Sequence, residues 1–368
     1  MIYLDYQATT PLAPEALAAM LPWLETQHAN PHSAHAPGRA AKAAVEVARE
    51  NIGRLLPSNG TLAFTSGATE AINWAIKGAR GDGASGRIVT IATEHAATLD
   101  TVEALARSGR EVVVLPVHAE GLVDLDAARA AIMPGTALVA AMLVNNEIGV
   151  VQPIAELAAM ARAAGAVMLC DAVQGFGRMP MPEGCDMIAI SAHKIHGPKG
   201  IGALWVRDGV FLAPLLHGGG QEALGRSGTL SPALCAGFGA SARLAAMQAE
   251  PDATHVGRLW GRAVAGFGSR WRINGSSDHR YHGNLNIRRD GLDVARLMSD
   301  LRDIAFSAGS ACASGSGRSS HVLRALGLSE AQARSSIRIG FGRYTTEVEL
   351  IEAMDRINTA VDAQRIAA

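Results

Sequence analysis

A lysine near the middle of the chain has the sequence surroundings of a reactive amine. Lys194 lies in Ser191-Ala-His-Lys-Ile-His-Gly-Pro-Lys-Gly200, directly after a strand-like run and among Gly and Pro residues that exclude a long regular helix. A lysine there is partly desolvated, which lowers the pKa of its amine and permits Schiff-base chemistry. A solvated loop lysine is the ordinary alternative. Ser191 and His193 crowd the same turn and could bind a phosphate, which favours the reactive lysine.

Polar residues also follow other strand-like runs, where they would meet at one edge of a sheet. Asp171 comes directly after residues 167–170, and open α/β sheets build ligand sites at such strand ends; a helix N-cap explains it equally well. Residues 64–70 indicate a strand, a Gly turn and the start of a helix, a geometry whose free amides bind phosphate. Ordinary helix capping explains the same residue types. His95 could stack on an aromatic cofactor or move protons, although it could equally be a structural histidine. Residues 145–149 offer side-chain amides at the same sheet edge, and a simple turn is the alternative for them.

Three later segments offer donors for anions. Residues 217–222 and 225–229, the second of which ends at Thr229, combine glycines that allow close backbone approach with further phosphate donors. Arg338 lies on the strand-like run 336–340 and could grip a substrate carboxylate with two parallel hydrogen bonds. A surface ion pair is the equal alternative for this arginine.

Cys312 is the one cysteine placed in a polar, Gly- and Ser-rich segment. Residues 307–320 are so rich in these two residue types that we expect a mobile loop. Cys170 lies in a strand-like run and Cys235 in an Ala-rich helix, which indicates inert core thiols, whereas Cys185 is ambiguous. Cys312 is therefore the thiol that could travel.

These residues need a scaffold, and residues 36 to about 206 predict one. There, β-branched runs alternate with segments of helical period, which is typical of a mainly parallel sheet flanked by helices. One amphipathic helix is marked by Ala41, Val45, Ala48, Ile52 and Leu55. The predicted strands are residues 61–65, 87–92, 111–115, 137–143, 166–170 and 186–190. A further helix is predicted between Pro153 and Gly165.

Near residue 250 the pattern changes. An Ala-rich helical segment, residues 241–249, gives way to Glu250-Pro251-Asp252, and the later strand signals are fewer and farther apart. This change predicts a domain boundary.

Composition limits the possible functions. The chain has 368 residues, 48% of them hydrophobic, enough for a substantial core and for two packed units. Lys plus Arg (33) nearly cancel Asp plus Glu (34), so no global field would attract nucleic acid or a membrane surface, and a small molecule or a protein is the expected partner. The N-terminus lacks signal-peptide features and no membrane-length apolar run occurs, so we expect a cytoplasmic protein. The four cysteines contain no CxxC pair for a metal.

Taken in order, these segments closely resemble the NifS/IscS-type cysteine desulfurases, a branch of the class V aminotransferase group of pyridoxal-phosphate enzymes. The resemblance covers nearly the whole chain, and many modest motifs in one order make it specific. Those motifs are residues 3–11, 65–70, 145–149, 171–174, 191–200, 226–229, 309–312, 320–323 and 338–346. It implies the type I fold: a large α/β domain (15–250) with a mainly parallel sheet flanked by helices, and a smaller α+β domain (1–14 and 251–368) that carries the mobile cysteine loop.

The resemblance implies how pyridoxal 5′-phosphate would be held. Lys194 would bind the cofactor covalently and later move the substrate Cα proton, and Asp171 would keep the ring nitrogen protonated. Gln174 would hydrogen-bond the phenolic oxygen, while His95 would stack on the ring and assist proton transfer. The other cofactor contacts would be Ala68 and the phosphate-holding residues Thr69, Ser191 and His193.

The resemblance also implies the reaction and the partners. Asn146 and Arg338 would fix the carboxylate of L-cysteine, and Cys312 would take its sulfur as a persulfide while alanine forms. Thr229 would reach the phosphate of a neighbouring subunit, which implies a homodimer. The sulfur would pass to an acceptor protein, either an iron–sulfur cluster scaffold or a relay for tRNA thiolation. A selenocysteine or cysteine lyase, a class V aminotransferase in which Cys312 is incidental, and a non-catalytic docking protein are the alternatives.

The sequence around Cys312, Ser-Ala-Cys-Ala-Ser-Gly, resembles the branch with the long mobile loop, which favours cysteine over selenocysteine as the substrate. Three departures from the family pattern remove no catalytic group, and the first two concern which acceptor docks and how readily the loop closes. Glu222-Ala223-Leu224 stands where relatives commonly read Glu-Arg-Gly, Arg318-Ser319-Ser320 where many read Glu-Pro-Ser, and Gly340 where Ser is frequent.

Overall fold

The protein is described by a computed structural model that covers residues 1–79, 86–309 and 319–364. Its strands are β1 (Ile2–Tyr3), β2 (Gly60–Thr65), β3 (Arg87–Ile91), β4 (Val112–Leu115), β5 (Thr136–Met142), β6 (Val167–Asp171), β7 (Met187–Ser191), β8 (Gly202–Arg207), β9 (Arg272–Ile273), β10 (Asn284–Arg288), β11 (Ile304–Ala305), β12 (Ser307–Ala308) and β13 (Ser336–Gly340). Its helices are α1 (Pro14–Glu25), α2 (Ala36–Gly53), α3 (Ala68–Gly78), α4 (Ala96–Arg107), α5 (Leu125–Ala131), α6 (Ile154–Ala163), α7 (Pro232–Met247), α8 (Ala249–Phe267), α9 (Val294–Asp300), α10 (His321–Ala325), α11 (Glu330–Arg334) and α12 (Glu347–Asp362).

The main sheet is largely parallel, as predicted. Its strand order is β2-β8-β7-β6-β5-β3-β4, and only β8 runs against its neighbours. Every residue of β5 is buried, because helices cover both faces of such a sheet and its strands become continuous apolar runs. The predicted α/β fold is confirmed in this part of the chain.

Two of the predicted helices agree with their sequence signals, one in its buried face and one in its ends. Helix α2 buries Ala41, Val45, Ala48 and Ile52, four of the five residues that marked its apolar face. Helix α6 begins directly after Pro153, and Gly165 beyond its end has φ +70°, a left-handed conformation that favours glycine.

A second core lies beside a smaller sheet, of order β12-β13-β10-β9, and is covered by α8 and α12. Its residues come from both ends of the chain, since Leu4 packs with residues between Val256 and Val361. Strand β1 pairs with β11 in parallel, which ties the N-terminus to this unit. Within the described residues, no helix combines the length and apolar character needed to cross a membrane.

The segment Glu250-Pro251-Asp252 is not the interruption that the sequence predicts. It forms the first turn of α8, where proline is tolerated because the amide it lacks would have no helical partner. The helical segment is interrupted instead at the single residue Gln248, which lies between α7 and α8.

Candidate active site

A cavity of about 470 Å³ opens at the carboxyl ends of the central strands, as the topology of an open α/β sheet requires. Nearly all the predicted site residues that the structure describes line it: Ala68, Thr69, His95, Asn146, Asp171, Gln174, Ser191, His193, Lys194 and Arg338. Thr229 does not line it and is exposed. Cys312 lies outside the described residues.

Lys194 ends a single turn of 3-10 helix, Ala192–Lys194, directly after β7. Its amine Nζ donates to the backbone oxygens of Gln7 at 2.6 Å and Ala8 at 2.8 Å. Burial, assisted by the positive charges of Arg178 and Arg338, lowers the pKa of Lys194 to about 7. A large fraction of this amine is therefore neutral, and nucleophilic, near neutral pH.

Asp171 is the last residue of β6 and is only 6% exposed. Its Oδ1 accepts a hydrogen bond from the Val173 amide at 3.0 Å, so this residue caps the following turn and also lines the cavity. Burial raises the pKa of the carboxyl, against the opposing effect of that hydrogen bond and of the charges of His95 and Lys194. A buried carboxylate of this kind binds a cationic ring N–H well.

The imidazole of His95 is held by the start of α4. Its Nδ1 accepts a hydrogen bond from the Ala97 amide at 3.0 Å, which leaves Nε2 as the protonated nitrogen of the neutral ring. Burial lowers the pKa of His95, and the charge of Asp171 only partly opposes this. A neutral ring is suited to stacking on an aromatic cofactor.

Two turns provide the groups for a phosphate. Gly67 precedes α3, so the amides of Ala68 and Thr69 start that helix and carry the positive end of its dipole. Gly202 on β8 allows this approach, because a Cβ there would lie 2.7 Å from the carbonyl carbon of Gly67. Ser191 and His193 line the same cavity from the turn that carries Lys194. Burial lowers the pKa of His193 to about 4, so its ring is a neutral hydrogen-bond partner.

Arg338 lies on β13 and is 1% exposed. Its Nη2 donates to Asp5 Oδ1 at 2.7 Å and to Ser307 Oγ at 3.1 Å, and its Nη1 donates to the Asn146 oxygen at 3.1 Å. The remaining nitrogen, Nε, has no hydrogen-bond partner among the described residues. Nη1 uses only one of its two hydrogens on Asn146, so Arg338 retains a donor for a ligand carboxylate in the cavity that it lines. Its ion pair, with Asp5, is buried and not the surface pair considered as the alternative.

The sequence reasoning missed the contribution of the N-terminal segment. Asp5 binds Arg338, while the oxygens of Gln7 and Ala8 hold Lys194, and Gln7 also accepts from Gln174 Nε2 at 2.9 Å. The available signal was the motif of residues 3–11, which supported the resemblance without roles for its members. Backbone oxygens have no residue signature, so only the fold could identify them.

The first departure from the family pattern has a structural effect. Glu222 is buried and accepts hydrogen bonds from the Phe64 amide at 2.7 Å and from Arg49 at 2.8 Å, which ties this segment to β2. Leu224, which stands where relatives read glycine, has φ +61°, a conformation that costs a non-glycine residue about 1 kcal/mol or more. Its side chain packs on the core around α3, which offsets part of that cost.

The three described cysteines are buried. A hydrogen bond with Cys185, together with burial, raises the pKa of Cys170 well above its ordinary value, and burial raises that of Cys235 to about 12. Neither of these two thiols is a source of thiolate at neutral pH.

The class-V aminotransferase family model matches residues 2–352. The chain belongs to the class-V aminotransferase family. Cysteine desulfurase IscS of Rickettsia akari (strain Hartford) is 43% identical over 376 residues, which cover 99% of this chain and 92% of the relative. Among solved structures, a NifS-like protein from Rickettsia africae ESF-5 has a TM-score of 0.89 at 30% identity over 98% of this chain and 99% of its own. SspA in complex with cysteine has a TM-score of 0.83 at 36% identity, covering 94% and 100%.

As a member of the class-V aminotransferase family, the protein has the type I fold and depends on pyridoxal phosphate, which confirms the predicted fold class and cofactor. The cavity fits that cofactor. It combines a lysine amine of lowered pKa for the covalent bond, a buried carboxylate for the ring nitrogen, and two turns rich in N–H and O–H donors for the phosphate.

Proposed function

We propose that this member of the class-V aminotransferase family is a cysteine desulfurase, which converts L-cysteine to L-alanine and transfers the sulfur to Cys312. One observation carries the proposal: Lys194, Asp171 and Arg338 line the same cavity, so an amine, a ring-nitrogen partner and a carboxylate receptor face one substrate. The similarity to cysteine desulfurases over almost the whole chain supports it.

Arg338 and Asn146 would bind the carboxylate of the cysteine. The guanidinium is rigidly placed by Asp5, Ser307 and the Asn146 oxygen, and the second hydrogen of Nη1 would be donated to a carboxylate oxygen. Because Arg338 is buried, that bond would form in a poorly solvated place and would be correspondingly strong.

Pyridoxal phosphate supplies an electron-accepting ring that acidifies the Cα proton of a bound amino acid. Lys194 would then remove this proton, since its lowered pKa leaves a neutral amine available near pH 7. Asp171 would hold the proton on the ring nitrogen. His95, whose ring is neutral, would stack beside it and exclude water from that face.

Cys312 would accept the sulfur. Its thiolate would attack the substrate sulfur, so that an S–S bond forms as the Cβ–S bond breaks. The electron pair left on carbon would be taken up by protonation at Cβ, and Lys194 would return the proton to Cα. The products are L-alanine and a Cys312 persulfide, and no external oxidant or reductant enters the balance. Cys312 lies outside the described residues, so its role remains a prediction from the sequence.

The further partners belong to the same proposal. The persulfide would pass to an acceptor protein, an iron–sulfur scaffold or a relay for tRNA thiolation. We also propose a homodimer in which Thr229 reaches the cofactor of the neighbouring subunit, because this exposed threonine lies away from the cavity of its own chain.

The test measures alanine and the modification of Cys312 when the cofactor-loaded protein meets L-cysteine. We expect equal rates of alanine and sulfide production in the presence of a thiol reductant, and an added sulfur atom on the Cys312 peptide in its absence. Cys312→Ser should abolish sulfide release and keep the cofactor, whereas Cys185→Ala, which changes a buried thiol, should retain activity. Normal sulfide release by Cys312→Ser, or a keto acid in place of alanine, would overturn the proposal and favour a lyase or an aminotransferase.

A further inference from the structure

Arg178 touches two of the predicted cofactor-binding residues without lining the main cavity. Its Nη1 donates to the amide oxygen Oε1 of Gln174 at 2.9 Å, and its Nη2 donates to the backbone oxygen of Lys194 at 2.5 Å. Its guanidinium lies over the ring of Tyr281, 5.2 Å from the centroid. Arg178 thus joins the two active-site turns and rests on a tyrosine near the second core.

The contact with Gln174 determines how its amide is oriented. Oε1 accepts from Arg178, and Nε2 donates one hydrogen to the Gln7 oxygen at 2.9 Å, so both ends of the amide have defined partners. The second hydrogen on Nε2 remains for a ligand. Without Arg178 the amide could rotate and present its oxygen, which would repel the anionic phenolic oxygen of the cofactor.

The charge of Arg178 is also unusual. No carboxylate forms a salt bridge with it among the described residues, although the side chain is half-buried. The other arginine near Lys194 is different, because Arg338 is paired with Asp5. The groups whose charges act on Lys194, or on which it acts, are Asp5, His95, Asp171, Arg178, His193 and Arg338, and Lys199 lines the same cavity. Of the two arginines in this set, Arg178 is the one without an acidic partner.

We propose that Arg178 is a positioning residue of the active site, which fixes the amide of Gln174 and the backbone of Lys194 and keeps an unpaired positive charge in contact with Lys194. A positive neighbour disfavours the ammonium form of lysine, so this charge adds to the effect of burial on the pKa of Lys194. The inference rests on the proposed function only in assigning Gln174 and Lys194 to the cofactor.

The experiment separates the charge of Arg178 from its hydrogen bonds. Arg178→Met removes both, while Arg178→Lys keeps the charge and loses the paired donors. Arg243→Met is the matched control, because Arg243 is exposed on α7 and, within the described part of the chain, its side chain bonds only the Met247 sulfur. Thermal unfolding of each variant identifies any that fails to fold.

The first measurement uses cofactor-free protein and no substrate. Acylation of Lys194 by an amine reagent is followed across pH by peptide mass spectrometry, with the exposed Lys42 as internal reference. We expect the midpoint for Lys194 to rise by roughly one pH unit in Arg178→Met, and to stay in place in Arg178→Lys and Arg243→Met. An unchanged midpoint in folded Arg178→Met would overturn the charge effect.

The second measurement titrates the same proteins with pyridoxal phosphate. Loss of the Gln174 orientation should weaken binding by roughly tenfold in both Arg178 variants, the size of one lost hydrogen bond, and leave Arg243→Met unchanged. Equal affinity in all proteins would overturn the positioning effect. Because neither measurement uses cysteine, a failure here is distinguishable from a failure of the desulfurase proposal.

Discussion

Asp5 Oδ1 accepts a hydrogen bond from Arg338 Nη2 at 2.7 Å, which joins the fifth residue of the chain to a strand more than three hundred positions later. Ser307 donates to the same carboxylate oxygen at 2.9 Å. Asp5 therefore neutralises the arginine that we expect to receive the substrate carboxylate, and it holds the guanidinium in place before a substrate binds.

Removing that carboxylate should destabilise the fold. Asp5→Ala would leave Arg338 buried without its counter-charge, at a cost of about 3 kcal/mol in the free energy of unfolding. Asp303→Ala is the matched control, because it breaks an ion pair with Arg356 that is largely exposed and therefore contributes much less to stability. Urea denaturation of the cofactor-free proteins measures both. Equal losses in the two variants would contradict the role given to Asp5.

The lowered pKa of Lys194 predicts how cofactor loading depends on pH. The folded protein releases the proton of this amine near pH 7, whereas an unfolded lysine keeps it to about 10.4. The rate at which cofactor-free protein combines with pyridoxal phosphate should therefore rise with pH up to about 7 and then level off. Absorbance of the bound cofactor follows the reaction. A rate that still climbs steeply at pH 9 would show an ordinary lysine.

The lowered pKa of Lys194 also determines how its contribution to the free energy of unfolding changes with pH. Between the folded pKa of about 7 and the ordinary value near 10.5, the unfolded state binds the additional proton. The contribution of Lys194 to the free energy of unfolding therefore rises with pH across this window and is least favourable below pH 7.

Asp171→Asn should separate cofactor binding from catalysis. The amide can keep the hydrogen bond from Val173, but it cannot stabilise a protonated ring nitrogen as a carboxylate does. We expect the variant to bind pyridoxal phosphate through Lys194 and to lose kcat by about 10²-fold or more. Alanine production per bound cofactor is the measurement, and a near-normal kcat would show that Asp171 acts only as a cap.

The third departure from the family pattern predicts a compensating pair. A Cβ on Gly340 would lie 1.7 Å from Gln7 Oε1, and the Gln7 side chain is anchored by a hydrogen bond from its Nε2 to the Gly283 oxygen at 2.8 Å. Gly340→Ser should therefore lower the free energy of unfolding by about 1 to 3 kcal/mol. Gln7→Ala in the same chain should recover most of that loss.

A control separates this clash from the general effect of replacing glycine. Gly261 lies exposed in α8, and a Cβ added there would have no other atom within 4 Å, so Gly261→Ser should be neutral or slightly stabilising. If the double variant loses the sum of the losses measured for Gly340→Ser and Gln7→Ala alone, the two residues are not coupled.

The amino-acid sequence determined the elements whose signals are local. The apolar period of α2, the buried runs of the parallel strands and the Pro and Gly at the ends of α6 depend on neighbours a few residues apart, so they could be interpreted before any fold was known. The placement of Asp171 and Lys194 followed from the same reasoning, because each comes directly after a buried strand and the ends of parallel strands meet at one edge.

Only the tertiary structure decided what holds those residues in place. The Asp5 contact with Arg338, those of the Gln7 and Ala8 oxygens with Lys194, and that of Arg178 with the Lys194 oxygen have no signal in the local sequence pattern. All but the last join residues at least 186 positions apart, and their energies depend on burial and on unpaired charge. Burial and unpaired charge are defined only once the N-terminal segment lies across the strand ends. The sequence therefore identified the reacting groups but not the groups that orient them and shift their pKa values.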